Sequence, residues 1–334
     1  MAGLTTGQRE KLLLGRQTID PQRLGEECQR RGIGLVTCGE KEYGQELAHF
    51  AGYPCVLYYY GDLGLLNRLS AAIVGSRRAS GYGLLTARHF AGALAAAGFC
   101  IVSGLAKGID AAAHWGALAA GGGSVAVLGC GVDVVYPPEN RALYHKMRER
   151  GLIISEYGPG ERPLRWRFPQ RNRLISGLSA LVLLVEAQAS SGALITCDHA
   201  LTQGREVWAI PGPVTNPGSI GPLRLIQEGA RLAITPGDIL AAYLPPEQRR
   251  PGVEPEAGVG SGPGSGSGPG AGAGVGPGPG LGAGPGAGSG SGPGAGPGPG
   301  AGVGSGAGPG SGPGTAAGTR RAPGQARPGA AAAE

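Results

Sequence analysis

From about residue 70 onward, apolar residues gather in short continuous runs at 71–74, 100–102, 124–128, 152–155, 180–185, 206–209 and 231–234. Runs of this length without polar alternation predict strands buried on both faces, as in a parallel sheet. Helix-compatible stretches separate them, at 83–97, 111–119, 140–150, 173–177, 193–203, 222–228 and 236–243, several closed by glycine. Strand and helix thus alternate, which predicts a doubly wound α/β domain with a mostly parallel sheet. In such a fold ligands bind beyond the carboxyl ends of the strands, so chemistry is expected in the loops that follow them. Ahead of this pattern, 8–15 and 21–31 suit two helices with weak apolar faces and form a short N-terminal helical segment.

The pattern stops abruptly near residue 246. From Gly258 to Gly314 every even-numbered residue is glycine, and no charge occurs from Ala257 to Thr319. A collagen helix needs glycine at every third position, and proline interrupts this alternation too often for a silk-like sheet. Such a segment buries too little apolar surface to offset the entropy of ordering it, so it is expected to be a disordered tail, a tether or spacer at most. The expected division is therefore 1–54 as an N-terminal extension, 55–245 as the Rossmann-like domain and 246–334 as the tail.

Charge narrows the partner. The chain carries a net +6, and because the three arginines and three glutamates of 251–334 cancel, all of it lies in the first 250 residues. A basic domain favours nucleic acid or another anionic surface. The charge is also concentrated: Arg162, Arg165, Arg167, Arg171 and Arg173 fall within twelve residues that hold no acid, with Trp166 and Phe168 among them. Guanidinium groups meet phosphates bidentately, and aromatic faces can stack unpaired bases. These arginines either form a surface for single-stranded nucleic acid or pair with carboxylates elsewhere in the fold.

The six cysteines show no Cys-x-x-Cys pair and no short spacing to histidine, so no zinc site is expected, and the isolated histidines suit packing. No apolar run is long enough for a membrane-spanning helix, and the N-terminus lacks the layout of a secretion signal, so a cytoplasmic location away from membranes is expected.

Several loops at strand ends suit an anion. The turn after 71–74 carries Ser76, Arg77 and Arg78 and opens onto a helix N-terminus, where backbone N–H groups and the helix dipole favour negative charge. It lacks Gly-x-Gly-x-x-Gly, so no nicotinamide cofactor is expected. The loop after 100–102 places Lys107 between glycines, but no phosphate-loop motif for triphosphate hydrolysis occurs. Asp110 there suits a helix N-cap. Asp133 and Glu156 could form an acid/base pair, but without a nucleophile or metal constellation they fit better as groups that orient arginines or accept sugar hydroxyls. The loop at 185–193 offers hydroxyls and amides at another helix start.

Taken in order, Gly-Ser-Arg at 75–77, Ser-Gly-x-Ala-x-Gly-Ile-Asp at 103–110, Gly-Cys-Gly-x-Asp-x-x-Tyr-Pro at 129–137, Phe-Pro-x-Arg-Asn-Arg-x-Ile-x-Gly-Leu-Ser at 168–179 and Ser-Gly-x-Leu-Ile-Thr at 191–196 closely resemble the DNA-processing protein A family (DprA, also called Smf). The resemblance covers about 55–243. It implies an extended Rossmann domain that binds and protects single-stranded DNA and helps load the RecA recombinase during natural transformation, acting as a homodimer and not as a catalyst. It also implies that Arg77, Lys107, Arg171 and Arg173 line the DNA pocket, with Phe168 and Asn172 beside them and Ser76 and Arg78 in the same turn as Arg77.

The chain departs from the family pattern at Leu223, where asparagine is usual, and in its tail, which stands where many relatives carry a winged-helix-like domain. Leu225 and Ile226 suit either a subunit interface or core burial. Two other classes remain as alternatives. One is an enzyme on nucleoside phosphates, though the Pro-Gly-Gly-x-Gly-Thr motif of Rossmann-like phosphoribohydrolases is missing at 211–218. The other is a sensor that holds a mononucleotide in the same pocket.

Overall fold

A computed structural model describes residues 5–18, 20–44, 46–47, 52–245 and 247. All but one residue of the expected tail at 246–334 therefore lies outside the described residues.

Helices α1 (Thr6–Thr18) and α2 (Pro21–Arg31) lead into strands β1 (Gly34–Thr37) and β2 (Val56–Gly61). Then follow β3 (Ser70–Val74), α3 (Gly81–Ala96), β4 (Cys100–Ser103), α4 (Ile109–Ala119), β5 (Ser124–Val127), α5 (Arg141–Arg150) and β6 (Leu152–Ser155). The chain continues through α6 (Arg167–Gly177), β7 (Leu181–Leu184), α7 (Gly192–Thr202), β8 (Glu206–Ala209), α8 (Ile220–Gln227), β9 (Arg231–Leu232) and α9 (Pro236–Tyr243).

Among the described residues nine strands form one sheet in the order β1-β2-β6-β5-β4-β3-β7-β8-β9. From β6 to β9 the pairing is parallel, while β2 joins β6 and β1 joins β2 in antiparallel sense. The α/β fold expected from the alternation is the fold observed. The antiparallel pair was not expected. Leu35 is exposed and Tyr59 half-buried in these strands, so their apolar pattern is weaker than that of the central strands. The sheet thus begins at 34 and not at 55: Val36 lies in the same core as Leu57 and Leu152.

Every residue of β3, β4, β5, β6 and β7 is buried, because helices cover both faces. Ala71, Ile73 and Leu183 meet α3, α4 and α9 on one face, and Val74, Val182 and Leu184 meet α6, α7 and α8 on the other. Leu225 is part of this second core, so burial accounts for it, while Ile226 is half-buried. Among the described residues no helix is long and apolar enough to cross a membrane.

His114 of α4 is fully buried, with Nδ1 2.7 Å from the Ser124 hydroxyl and Nε2 without a hydrogen-bond partner among the described residues. Burial, reinforced by the charge of Arg171, pushes its pKa down to about 3. The folded value lies below the unfolded one near 6.5, so between these limits the unfolded chain binds the extra proton. Stability tied to His114 is complete above about pH 6.5 and is lost as pH falls toward 3, by at most about 1.4 kcal/mol per pH unit. Buried Asp110, with its pKa raised by desolvation, acts in the opposite sense. Urea unfolding of the wild type and of His114→Gln at pH 4, 5 and 7 isolates the histidine: the acid-side slope should be shallower in the variant, and equal slopes would remove His114 from the account.

Candidate nucleic-acid interface

The strand order reverses at β3. The chain runs outward from it through β4, β5 and β6, then returns to place β7 on its other side. Loops on the two sides of such a switch diverge and leave a crevice. A cleft of about 750 Å³ opens there, lined by the turn after β3, Ala106 and Asp110 beyond β4, Tyr136 beyond β5, the start of α6 and the loop from β7 into α7.

The helix at the cleft wall begins earlier than the apolar pattern suggested. α6 starts at Arg167, not 173, because Pro169 falls in its first turn, where a missing N–H leaves no hydrogen bond unmade. Phe168, Arg171, Asn172 and Arg173 therefore project from a rigid element. Phe168 and Asn172 line the cleft and Arg171 forms part of its floor. Phe168 stacks on Tyr136, with centroids 5.4 Å apart and planes at 29°, and Arg77 Cζ lies 5.5 Å from its centroid.

The structure sorts the candidate cations into three kinds. Arg77, Arg78 and Arg165 line the cleft, are exposed, and make no ion pair among the described residues. Lys107, Arg167 and Arg173 are paired, with Glu139, Glu161 and Glu156 respectively. Arg173 meets Glu156 through both carboxylate oxygens, at 2.9 and 2.7 Å, so Glu156 orients an arginine, as Asp133 does for Arg31. Neither Lys107 nor Arg173 lines the cleft. The pairing reading of the arginine cluster thus holds for Arg167 and Arg173, while Arg165 stays exposed and without an ion pair among the described residues.

Arg171 is the third kind. It is only 3 % exposed and donates to the carbonyls of Gly104 (2.9 Å) and Val127. Burial lowers its pKa to about 10, which still leaves it charged near neutrality. Asp110 holds the same turn from the other side, accepting from Gly104 N (3.1 Å) and Ala106 N (3.3 Å). It is not the N-cap: α4 starts one residue before it, and its carboxylate turns back onto the loop. Asn140 adds two bonds to the carbonyls of Leu105 and Ala106. So many restraints keep Leu105, a non-glycine residue, at φ +56°.

This turn and the one bearing Arg77 interlock. Ile109 N donates to Ser76 O at 3.2 Å, and a Cβ on Gly108, at φ +78°, would stand 2.2 Å from that oxygen. Arg77 and Lys107 consequently sit on adjoining loops at one rim. The α3 N-terminus, expected to receive an outside anion, is already occupied: buried Glu186 accepts from Ser80 N at 2.8 Å and from its hydroxyl, while Ser80 Oγ caps Gly83 N. That helix end therefore offers little to a phosphate in the cleft, and the exposed cations that line it are Arg77, Arg78 and Arg165. Ser76 lines the cleft, but its hydroxyl accepts from Arg78 N at 3.1 Å and so shapes the 75–78 turn.

Sequence reasoning missed Tyr136 as a cleft residue and singled out Arg165 only as one of five clustered arginines. Each stood in a segment already singled out, and their orientation toward the cleft was the missing information. Trp166, expected with Phe168 to offer a stacking face, is exposed but does not line the cleft.

Comparison with known proteins agrees with this architecture. Residues 34–244 match the family described as DNA recombination-mediator protein A, a span that takes in β1 and β2. The chain is 45% identical to the DNA processing protein DprA of Streptococcus pneumoniae over 225 residues, 67% of this chain and 79% of that one. Protein Smf of Escherichia coli is 45% identical over 207 residues, 62% of this chain but 55% of its own length. The X-ray structure of the pneumococcal protein superposes with a TM-score of 0.63 at 43% identity, covering 67% of this chain and 78% of that one. A structure of DNA processing protein A from Helicobacter pylori, described as giving insight into its single-stranded DNA binding mode, reaches 0.57 at 28% identity over 64% and 95%. With the family span running from the first strand of the sheet into its last helix, the chain belongs to the DNA recombination-mediator protein A (DprA/Smf) family, whose members are not enzymes.

Proposed function

We propose that the protein binds single-stranded DNA in the cleft at the β3 switch point and acts as a recombination mediator. The observation that carries this reading is the set of exposed arginines Arg77, Arg78 and Arg165, which make no ion pair among the described residues, around the Phe168–Tyr136 stack. The arginines neutralise successive phosphates, and the aromatic pair supports unstacked bases. Asn172, whose Nδ2 donates to Gly192 O at 3.3 Å, presents its amide at the same wall. Lys107 serves at the rim once Glu139 yields, since an exposed ion pair is weak and salt-screened. Arg171 braces the turn at Gly104 from the cleft floor, and Arg173 anchors α6 to Glu156 and Gly52.

Binding at the backbone is sequence-independent and tolerant of base identity. The family relationship and the single-stranded DNA binding described for the Helicobacter pylori relative support the same ligand. Hand-over of the bound strand to RecA during natural transformation, action as a homodimer and a cytoplasmic setting complete the proposal.

Fluorescence anisotropy with labelled oligothymidylate, competed by duplex DNA and by mononucleotides, tests the ligand. Single strands should win by a wide margin, with log affinity falling by about 0.7 per phosphate contacted for each decade of salt. Tighter binding of mononucleotides than of oligonucleotides would replace this reading with that of a nucleotide sensor. Adding RecA and following filament growth tests the mediator role, and sedimentation tests the dimer.

A further inference from the structure

The six cysteines divide sharply in their surroundings. Cys28, Cys100, Cys130 and Cys197 are buried, and burial pushes Cys100 and Cys197 up to about 12 and Cys130 up to about 11. Thiols so placed form little thiolate and are inert. Cys38 and Cys55 are the two exposed ones, and they are neighbours. The β1–β2 register pairs Thr37 with Val56, so one step further Cys38 stands opposite Cys55, and Cys38 N donates to Cys55 O at 3.0 Å. Directly opposed residues of an antiparallel pair put their side chains on one face, with Cα atoms about 5.5 Å apart when hydrogen-bonded. Disulfides form across Cα separations of about 4.4–6.8 Å.

We infer that Cys38 and Cys55 form a redox-active dithiol that closes reversibly into a cross-strand disulfide at the edge of the sheet. The oxidant is a low-molecular-weight disulfide. The Cys38 or Cys55 thiolate attacks one of its sulfurs, forming a mixed disulfide and releasing one thiol. The second cysteine thiolate then attacks the protein sulfur of that mixed disulfide and releases the other thiol. The two protons lost by the cysteines end on the two released thiols, so one disulfide is reduced as one is made. An exposed cross-strand bridge at the end of a ladder is the reducible kind and suits reversal. The bridge pins the chain beside Gly52, whose carbonyl accepts from Arg173 Nε of α6 at 3.2 Å, while no cysteine lines the DNA cleft.

The test treats the full chain with a graded ratio of oxidised to reduced glutathione, traps free thiols by alkylation under native conditions, and maps peptides by mass spectrometry. A Cys38–Cys55 linked peptide should appear, reversible by dithiothreitol, with no glutathione retained. In Cys38→Ser and in Cys55→Ser the remaining exposed cysteine should instead hold one glutathione. The inference is overturned if the wild type keeps glutathione on both cysteines, if bridges form only between molecules, or if neither cysteine is oxidised while oxidised glutathione is in excess.

Discussion

Replacing Arg171 by alanine should lower folding stability by about 3–5 kcal/mol, the usual cost of removing one partner from a buried charged cluster. The guanidinium is held by the carbonyls of Gly104 and Val127 and faces the field of Asp110, with both charged residues buried at the floor of the cleft. Its loss takes the guanidinium donor from both carbonyls and leaves the desolvated carboxyl of Asp110 without its buried counter-charge. Arg171→Lys should recover only part of the stability, since an ammonium is a point charge and not a planar fork. Arg171→Met combined with Asp110→Asn should recover more, because the second change removes the stranded acid. Urea unfolding midpoints measure all of these. If Arg171→Ala unfolded like the wild type but lost DNA, the arginine would be a direct contact and its supporting role would be wrong.

Arg77→Ala should weaken single-stranded DNA binding by about tenfold or more near 0.1 M salt, the scale of one hydrogen-bonded charge pair. It should also flatten the dependence of log affinity on log salt by about 0.7, for every sequence tested. Combining Arg78→Ala and Arg165→Ala with it should bring the total flattening to about 2 units. Lys107→Ala should have a smaller effect, because its ammonium is already engaged by Glu139. Folding should be nearly unchanged, since Arg77 is exposed and its guanidinium lies over the Phe168 ring at the cleft. A titration series in which Arg77→Ala kept both affinity and slope would take this residue out of the interface.

These two arginines show why charge alone misjudges a site. Arg77 and Arg171 were indistinguishable as letters, each in a motif near a strand end. Tertiary packing makes one a free cation at the rim and the other an internal brace. The same holds for Arg173 and Arg167, whose partners Glu156 and Glu161 lie outside or at the edge of the acid-free window that drew attention to them. Cys38 and Cys55 were likewise unremarkable seventeen positions apart. Their apposition exists only through the antiparallel pair, which the apolar pattern was too weak to announce.

What the chain determined by itself was the layered α/β architecture, since uninterrupted apolar strands alternating with helices leave no other way to bury both faces of a sheet. It also determined which loops form the cleft, because in such a sheet ligands sit at strand ends, and the motifs fell there. Tertiary structure alone decided how the charge is used. Pairing, burial and the filling of the α3 N-terminus by Glu186 depend on distances between residues far apart in sequence. Local pattern fixes where a side chain starts, whereas its partner is set by the neighbours that folding brings within about 3 Å.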